Sequence, residues 1–256
     1  MRQEGGFSPA LLLFNMGFAI NGRVGDLRHD KKLWYTVPMN ACFFDMDGTI
    51  IDSRADLAAT VNHTRRDLGL EELPMEDVLC HVGQGAKYLL SHAIPEKADD
   101  VDRLWEIFRS HYAEHMLETV ELYPTVRKTL DELSSRGWLL GVNTAKPAFA
   151  TRAILEHFGL MRYFKGAIVA GGDCPEMKPS ALPLRQCASL MRGHRLSSHD
   201  WMVGDSWTDM QCATNAGIKG AFCTFGFGKL GDSRYTVKIN RMEELLRHLK
   251  ADENLV

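Results

Sequence analysis

Phe43-Phe44-Asp45-Met46-Asp47-Gly48-Thr49-Ile50-Ile51-Asp52-Ser53 is the stretch on which the reading of this chain turns. An apolar run beginning at Ala41 ends in two carboxylates placed two residues apart. Residues two apart on a strand share a face, so Asp45 and Asp47 can address one site as the chain turns at Gly48. Ligands of open parallel sheets bind beyond the carboxyl ends of the strands. The stretch therefore predicts both a strand and a site at its end.

Outward from it, apolar runs of strand length recur at Leu139–Thr144, Ala167–Ala170, Trp201–Gly204 and Ala221–Phe225. Each ends in a polar or glycine cluster. Helical stretches separate most of them. Pro124 opens one with Val126, Leu130 and Leu133 on a single face, and Gly159 is placed to end another that holds Phe149, Ala153 and Ile154. Arg241–Lys250 reads as a closing helix. Strands alternating with helices imply an α/β fold, a Rossmann-like parallel sheet covered on both faces.

Between Ser53 and Leu122 the alternation breaks, and no good strand is evident. Leu57, Val61, Thr64 and Leu68 form one helical stripe, and Val101, Leu104, Trp105, Phe108 and Tyr112 form another. These read as core positions of a small helical cap domain, residues 54–122, inserted after the first strand. Residues 39–53 and 123–256 then make the catalytic core. Residues 1–38 are glycine-rich and without period, and are expected to be a poorly ordered extension.

The net charge is -3 with Lys and Arg scattered, which gives no footprint for nucleic acid. The 6 cysteines form no CxxC pair and fit a reducing, cytoplasmic setting. No apolar run is long enough to span a bilayer, and no convincing signal peptide opens the chain. The expected partner is a small molecule, with neither nucleic acid nor membrane; the sequence leaves monomer and homodimer open.

Three further motifs sit at strand ends. In Gly141-Val142-Asn143-Thr144-Ala145-Lys146-Pro147, the Thr144 hydroxyl can donate to a phosphate oxygen, although alone it reads equally as a helix cap. After Gly171-Gly172-Asp173 comes Lys178-Pro179, whose ammonium can balance charge on a phosphoryl group. In Val203-Gly204-Asp205-Ser206-Trp207-Thr208-Asp209, one aspartate ends a strand and a second follows four residues on. Magnesium prefers hard oxygen ligands. Asp45, Asp205, the Asp47 backbone carbonyl and a phosphate oxygen would suit it, with Asp209 contributing directly or by holding a ligand.

In order and content these four motifs resemble the haloacid dehalogenase superfamily of phosphohydrolases, over about residues 40–250. The segments FFDMDGTIIDS from Phe43, HVGQGAKYLL from His81, GGDCPEMKP from Gly171 and VGDSWTDMQCATNAG from Val203 are most similar to phosphoglycolate phosphatases with a small helical cap. The resemblance implies Asp45 as nucleophile, Asp47 as general acid and then base, Thr144 and Lys178 as phosphoryl ligands, and Asp205 on a required Mg2+. Gly83 and Gly85 of the cap could bring backbone N–H groups to a substrate carboxylate, with 2-phosphoglycolate as the expected substrate. The family often has Asn after the second-motif Thr. Here Ala145 stands there with Asn143 before Thr144, so either Asn143 substitutes or a leaving-group contact is missing.

Related chemistries are weighed on the same residues. A dehalogenase would not need Asp47. A phosphonate hydrolase would need a cap lysine, for which Lys87 is the nearest candidate in unpromising surroundings. Pyrophosphatase, nucleotidase and sugar-phosphate phosphatase or mutase activities share the core. A non-catalytic binding protein would be expected to have lost at least one motif, and every acidic and Lys position is filled.

Overall fold

The computed structural model describes residues 40–249, so the expected N-terminal extension lies outside the described residues. Asn40 leads into β1 (Ala41–Phe44), and β2 (Ile51–Asp52) follows the two carboxylates. Four helices come next: α1 (Arg54–Asp67), α2 (Met75–Leu79), α3 (Ala86–Ala93) and, after a 3-10 stretch at Pro95–Asp100, α4 (Val101–His115). Then come β3 (Glu121–Leu122), α5 (Val126–Ser135), β4 (Leu139–Pro147), α6 (Ala148–His157), α7 (Met161–Phe164), β5 (Ile168–Gly171), α8 (Leu182–Leu190), β6 (Trp201–Gly204), α9 (Trp207–Ala216), β7 (Lys219–Cys223) and β8 (Val237–Ile239).

Six strands form one sheet in the order β5-β4-β1-β6-β7-β8. Every pairing in it is parallel. β1 lies between β4 and β6, with Cys42 opposite Leu140 on one side and Trp201 on the other. Its side chains alternate between two cores. Cys42 and Phe44 pack with Val126, Leu130 and Leu133 of α5 and Ile154 of α6, while Ala41 and Phe43 pack with Leu184 and Cys187 of α8 and Cys212 of α9. A strand buried on both faces is the expected consequence of helices on both sides of a parallel sheet. That burial explains why β1 is apolar at every position rather than at alternate ones.

The two helical stripes read between Ser53 and Leu122 fall on α1 and α4. Leu57, Val61, Leu104, Phe108 and Tyr112 are buried in one further core with Leu89, Leu90 and Ile94, and Ala150 of α6 joins it. The absence of strand in this stretch needs one correction. β3, at its end, pairs antiparallel with β2, Ile51 opposite Leu122 and Asp52 opposite Glu121. Two residues are too few for an alternating pattern, so the pairing carries no periodic signature. The ladder gathers both connections of the helical segment at one point.

Smaller differences lie at the far edge. β8 extends the sheet beyond the strands read from sequence, at a stretch that is short and half-exposed. The closing helix is a single 3-10 segment, Met242–Arg247, with Met242 and Leu245 buried.

Candidate active site

Asp45 stands where β1 runs out, and its backbone N–H still bonds to the Val203 carbonyl of β6 at 3.0 Å. The Met46 carbonyl then accepts from the N–H groups of Thr49, Ile50 and Ile51 at 2.9–3.1 Å, folding the chain back on itself. Gly48 sits in this loop with φ +75°, and a Cβ there would lie 1.8 Å from Oδ2 of Asp205. Only glycine permits both the conformation and the approach. The loop after β1 and the end of β6 are thereby pressed together.

Three buried carboxylates meet at that contact. Asp45, Asp205 and Asp209 each offer an oxygen within 4.8 Å of the others. One ammonium lies among them: Lys178 Nζ is 2.9 Å from Asp45 Oδ2 and 2.5 Å from Asp209 Oδ1. Asp45 Oδ1 accepts from the Met46 N–H at 2.7 Å, and the Thr144 hydroxyl bonds to the same carboxyl. Oδ2 of Asp205 accepts from the N–H groups of Phe227 at 3.0 Å and Gly228 at 2.7 Å. Ser206 caps α9 and Asp209, three residues on, completes the capping box, its Oδ2 taking the Ser206 N–H at 3.1 Å and hydroxyl at 2.6 Å. Both Asp209 oxygens thus have partners, one in Ser206 and one in Lys178.

The electrostatics follow from the count of charges. Burial pushes Asp45 up to about 6; Lys178 opposes that shift and Asp209 adds to it. Burial likewise raises Asp205 well above the ordinary carboxylate range, helped by Asp209 and Asp45. Burial works against the Lys178 ammonium, but Asp209 and Asp45 outweigh it and its pKa rises. Three carboxylates around one ammonium leave a surplus of negative charge in a dry place, where it is costly. An all-oxygen donor set with that surplus fits magnesium, and would not suit an ion that prefers nitrogen or sulfur.

Asp47 faces a different partner. Its Oδ1 accepts from the Ser53 hydroxyl at 2.5 Å and from Lys146 Nζ at 2.7 Å. Lys146 is buried and also bonds to the hydroxyl of Tyr112 on α4. Burial works against its charge, but Asp47 and Tyr112 outweigh it and raise its pKa. The Tyr112 phenol is pushed up to about 12 by burial, against the opposing effect of Lys146. Lys146 is the residue that motif reading passed over. It lies two residues after Thr144, where β4 is irregular between Asn143 and Pro147, and Thr144, Ala145 and Lys146 all line the cleft.

A cleft with a cavity of about 40 Å³ opens beside these groups. Asp45, Asp47, Thr144, Lys146 and Asp205 line it from the sheet edge, and Gly83, Gly85 and Tyr112 line it from the helical segment. Lys178 is buried and is not among its lining residues. Ala145 does line the cleft, whereas Asn143 is buried and donates from Nδ2 to Cys212 Sγ at 3.8 Å. Asn143 therefore does not take the place of an amide after Thr144.

Residues 42–223 match the family described as haloacid dehalogenase-like hydrolase. The chain belongs to that family, and within it to the phosphatases. A phosphoglycolate phosphatase of Aquifex aeolicus is 31% identical over 210 residues, covering 82% of this chain and 96% of that one. Another, of Agrobacterium fabrum, is 37% identical over 191 residues, covering 72% and 80%. A crystal structure titled as a predicted phosphoglycolate phosphatase of Haemophilus somnus superposes with a TM-score of 0.77 at 25% identity, over 84% of this chain and 100% of that one.

Proposed function

We propose that this chain is a magnesium-dependent phosphomonoesterase that works through a phosphoryl group held on Asp45, with 2-phosphoglycolate as its substrate and residues 54–122 as the cap over the site. The observation that supports it is the contrast between two carboxylates two residues apart. Asp45 lies against Lys178 and the other buried carboxylates, as a nucleophile beside a cation site requires. Asp47 lies against Lys146 and Ser53, away from that group.

An Asp45 oxygen attacks phosphorus, the phosphorus–ester bond breaks, and the departing alkoxide takes a proton from Asp47. Water then attacks the acyl phosphate, loses its proton to the Asp47 carboxylate, and frees phosphate and Asp45. Both donors to Asp47 approach Oδ1, so the mobile proton belongs on Oδ2. Thr144 orients the phosphoryl oxygens, and Lys178 balances their charge through Asp45. Asp45, Asp205 and the Asp47 carbonyl would hold magnesium, which when bound supplies positive charge to the phosphoryl oxygens.

The small cavity and the side-chain-free lining at Gly83 and Gly85 support a compact, carboxylate-bearing substrate, as do the names of the relatives. The test is kcat/KM for 2-phosphoglycolate against pyrophosphate, a hexose phosphate and a nucleoside monophosphate, with magnesium and with chelator. The expected result is a preference for phosphoglycolate of at least about tenfold, or roughly 1.4 kcal/mol. A better rate on another member of that set would replace the substrate and leave the phosphatase.

A further inference from the structure

A second group of metal-binding side chains lies on the helical segment, outside the cleft. His63 comes from α1, and His111 and His115 from α4, one helical turn apart. Each offers a ring nitrogen within 4.8 Å of the others. The ring centroids of His63 lie 5.4 Å from those of His111 and 5.2 Å from those of His115. The cluster is open to water, with side-chain exposures of 25% for His111 and 27% for His115.

Two of the three imidazoles are braced from behind. His111 Nε2 pairs with Asp67 Oδ2 at 2.7 Å, and His115 Nδ1 with Glu118 Oε1 at 2.7 Å. Each bond leaves the other ring nitrogen of its histidine, in the carboxylate–histidine arrangement that fixes a ligand's tautomer. His63 completes the group from the facing helix, and its ring nitrogen lies within 4.8 Å of those of the other two. Arg66 of α1 is directed to Glu72 at 2.9 Å. A further carboxylate, Glu114, stands 3.9 Å from His115 Nε2.

We propose that His63, His111 and His115 form a binding site for a borderline divalent transition-metal ion, of which zinc is the type. Three imidazoles suit zinc and not magnesium, which needs oxygen. Zinc–nitrogen bonds of about 2.0–2.1 Å at tetrahedral angles place the nitrogens about 3.3 Å apart. The ring nitrogens, within 4.8 Å of one another, would have to draw closer by up to about 1.5 Å. The bound ion would pin α1 to the last turn of α4, next to Tyr112, and the site stands whatever reaction the cleft performs.

The full chain, freed of metal and held in excess magnesium, is titrated with zinc by calorimetry and then loaded with cobalt. Wild type is expected to bind one zinc ion that magnesium does not displace, to gain melting temperature on doing so, and to show the intense visible bands of tetrahedral cobalt. His111→Ala and His63→Ala are expected to weaken zinc binding by more than the roughly 10–100-fold typical of losing an outer partner. Asp67→Asn, which keeps all three ligands, is expected to weaken it by about tenfold. Zinc affinity unchanged in His111→Ala, zinc competing one for one with magnesium, or weak octahedral cobalt bands would each overturn the proposal.

Discussion

Lys146→Met removes a charge from beneath the proposed general acid while keeping the bulk of the stem. In the native structure Asp47 Oδ1 takes two bonds, from Ser53 and from Lys146, and only the second is to a charged donor. A hydrogen bond between charged groups contributes about 1.5–3 kcal/mol. At roughly 1.4 kcal/mol per tenfold, loss of orientation at Asp47 lowers kcat by about 10–100-fold. That lies within the about 10²–10⁴-fold that general acid catalysis supplies in all. The substitution also strips a partner from the buried Tyr112 hydroxyl, at a further cost of about 1–3 kcal/mol in stability. Cleavage should be followed with an alkyl phosphate and with an aryl phosphate whose leaving group needs no protonation. The expected drop is larger for the alkyl ester, and Asp47→Asn should make Lys146→Met nearly silent, since the second acts through the first. Equal losses on both esters, or full additivity in the double variant, would refute the reasoning.

Asp45→Asn is expected to abolish turnover, and acid quenching during reaction should trap no phosphate on the variant. Asp205→Asn should shift the magnesium activation curve to higher concentration with a smaller change in KM, read by titrating magnesium at fixed substrate. Gly226→Ala sets a Cβ 2.3 Å from the Gly48 carbonyl oxygen and 2.4 Å from the Asp205 side chain. That overpacking should cost about 1–3 kcal/mol in denaturant melts and also weaken magnesium activation, because Asp205 must yield.

The parts of this protein that were legible in its sequence are those whose cause is local. β1 could be read because four consecutive apolar residues followed by a glycine turn leave few alternatives. α5 could be read because Val126, Leu130 and Leu133 repeat on one face. The meeting of Asp45 with Asp205 and Asp209 could be inferred, since each follows a strand of one parallel sheet. β3 escaped because two residues have no period, and β8 because an edge strand is only half buried. The bond from Lys146 to Asp47 spans 99 positions in the chain and that to Tyr112 spans 34, so no window of sequence contains either. Asp209 shows the opposite case. Its place four residues after Asp205 was evident, but its bond to Lys178 depends on a loop 31 residues away.

The central place of β1 has a consequence for how this enzyme would lose activity. Its four residues are fully buried, all four pair with β4, and Cys42, Phe43 and Phe44 pair with β6 as well, so the amides of those three should be among the slowest of the described residues to exchange with solvent. Releasing Asp45 would require opening β4 or β6, and hence nearly the whole sheet. Partial openings that leave the sheet intact would begin elsewhere, in the helical segment that joins it through a two-residue ladder. Such openings expose the cleft and leave the proposed nucleophile in place, so inactivation through Asp45 and global unfolding become one event.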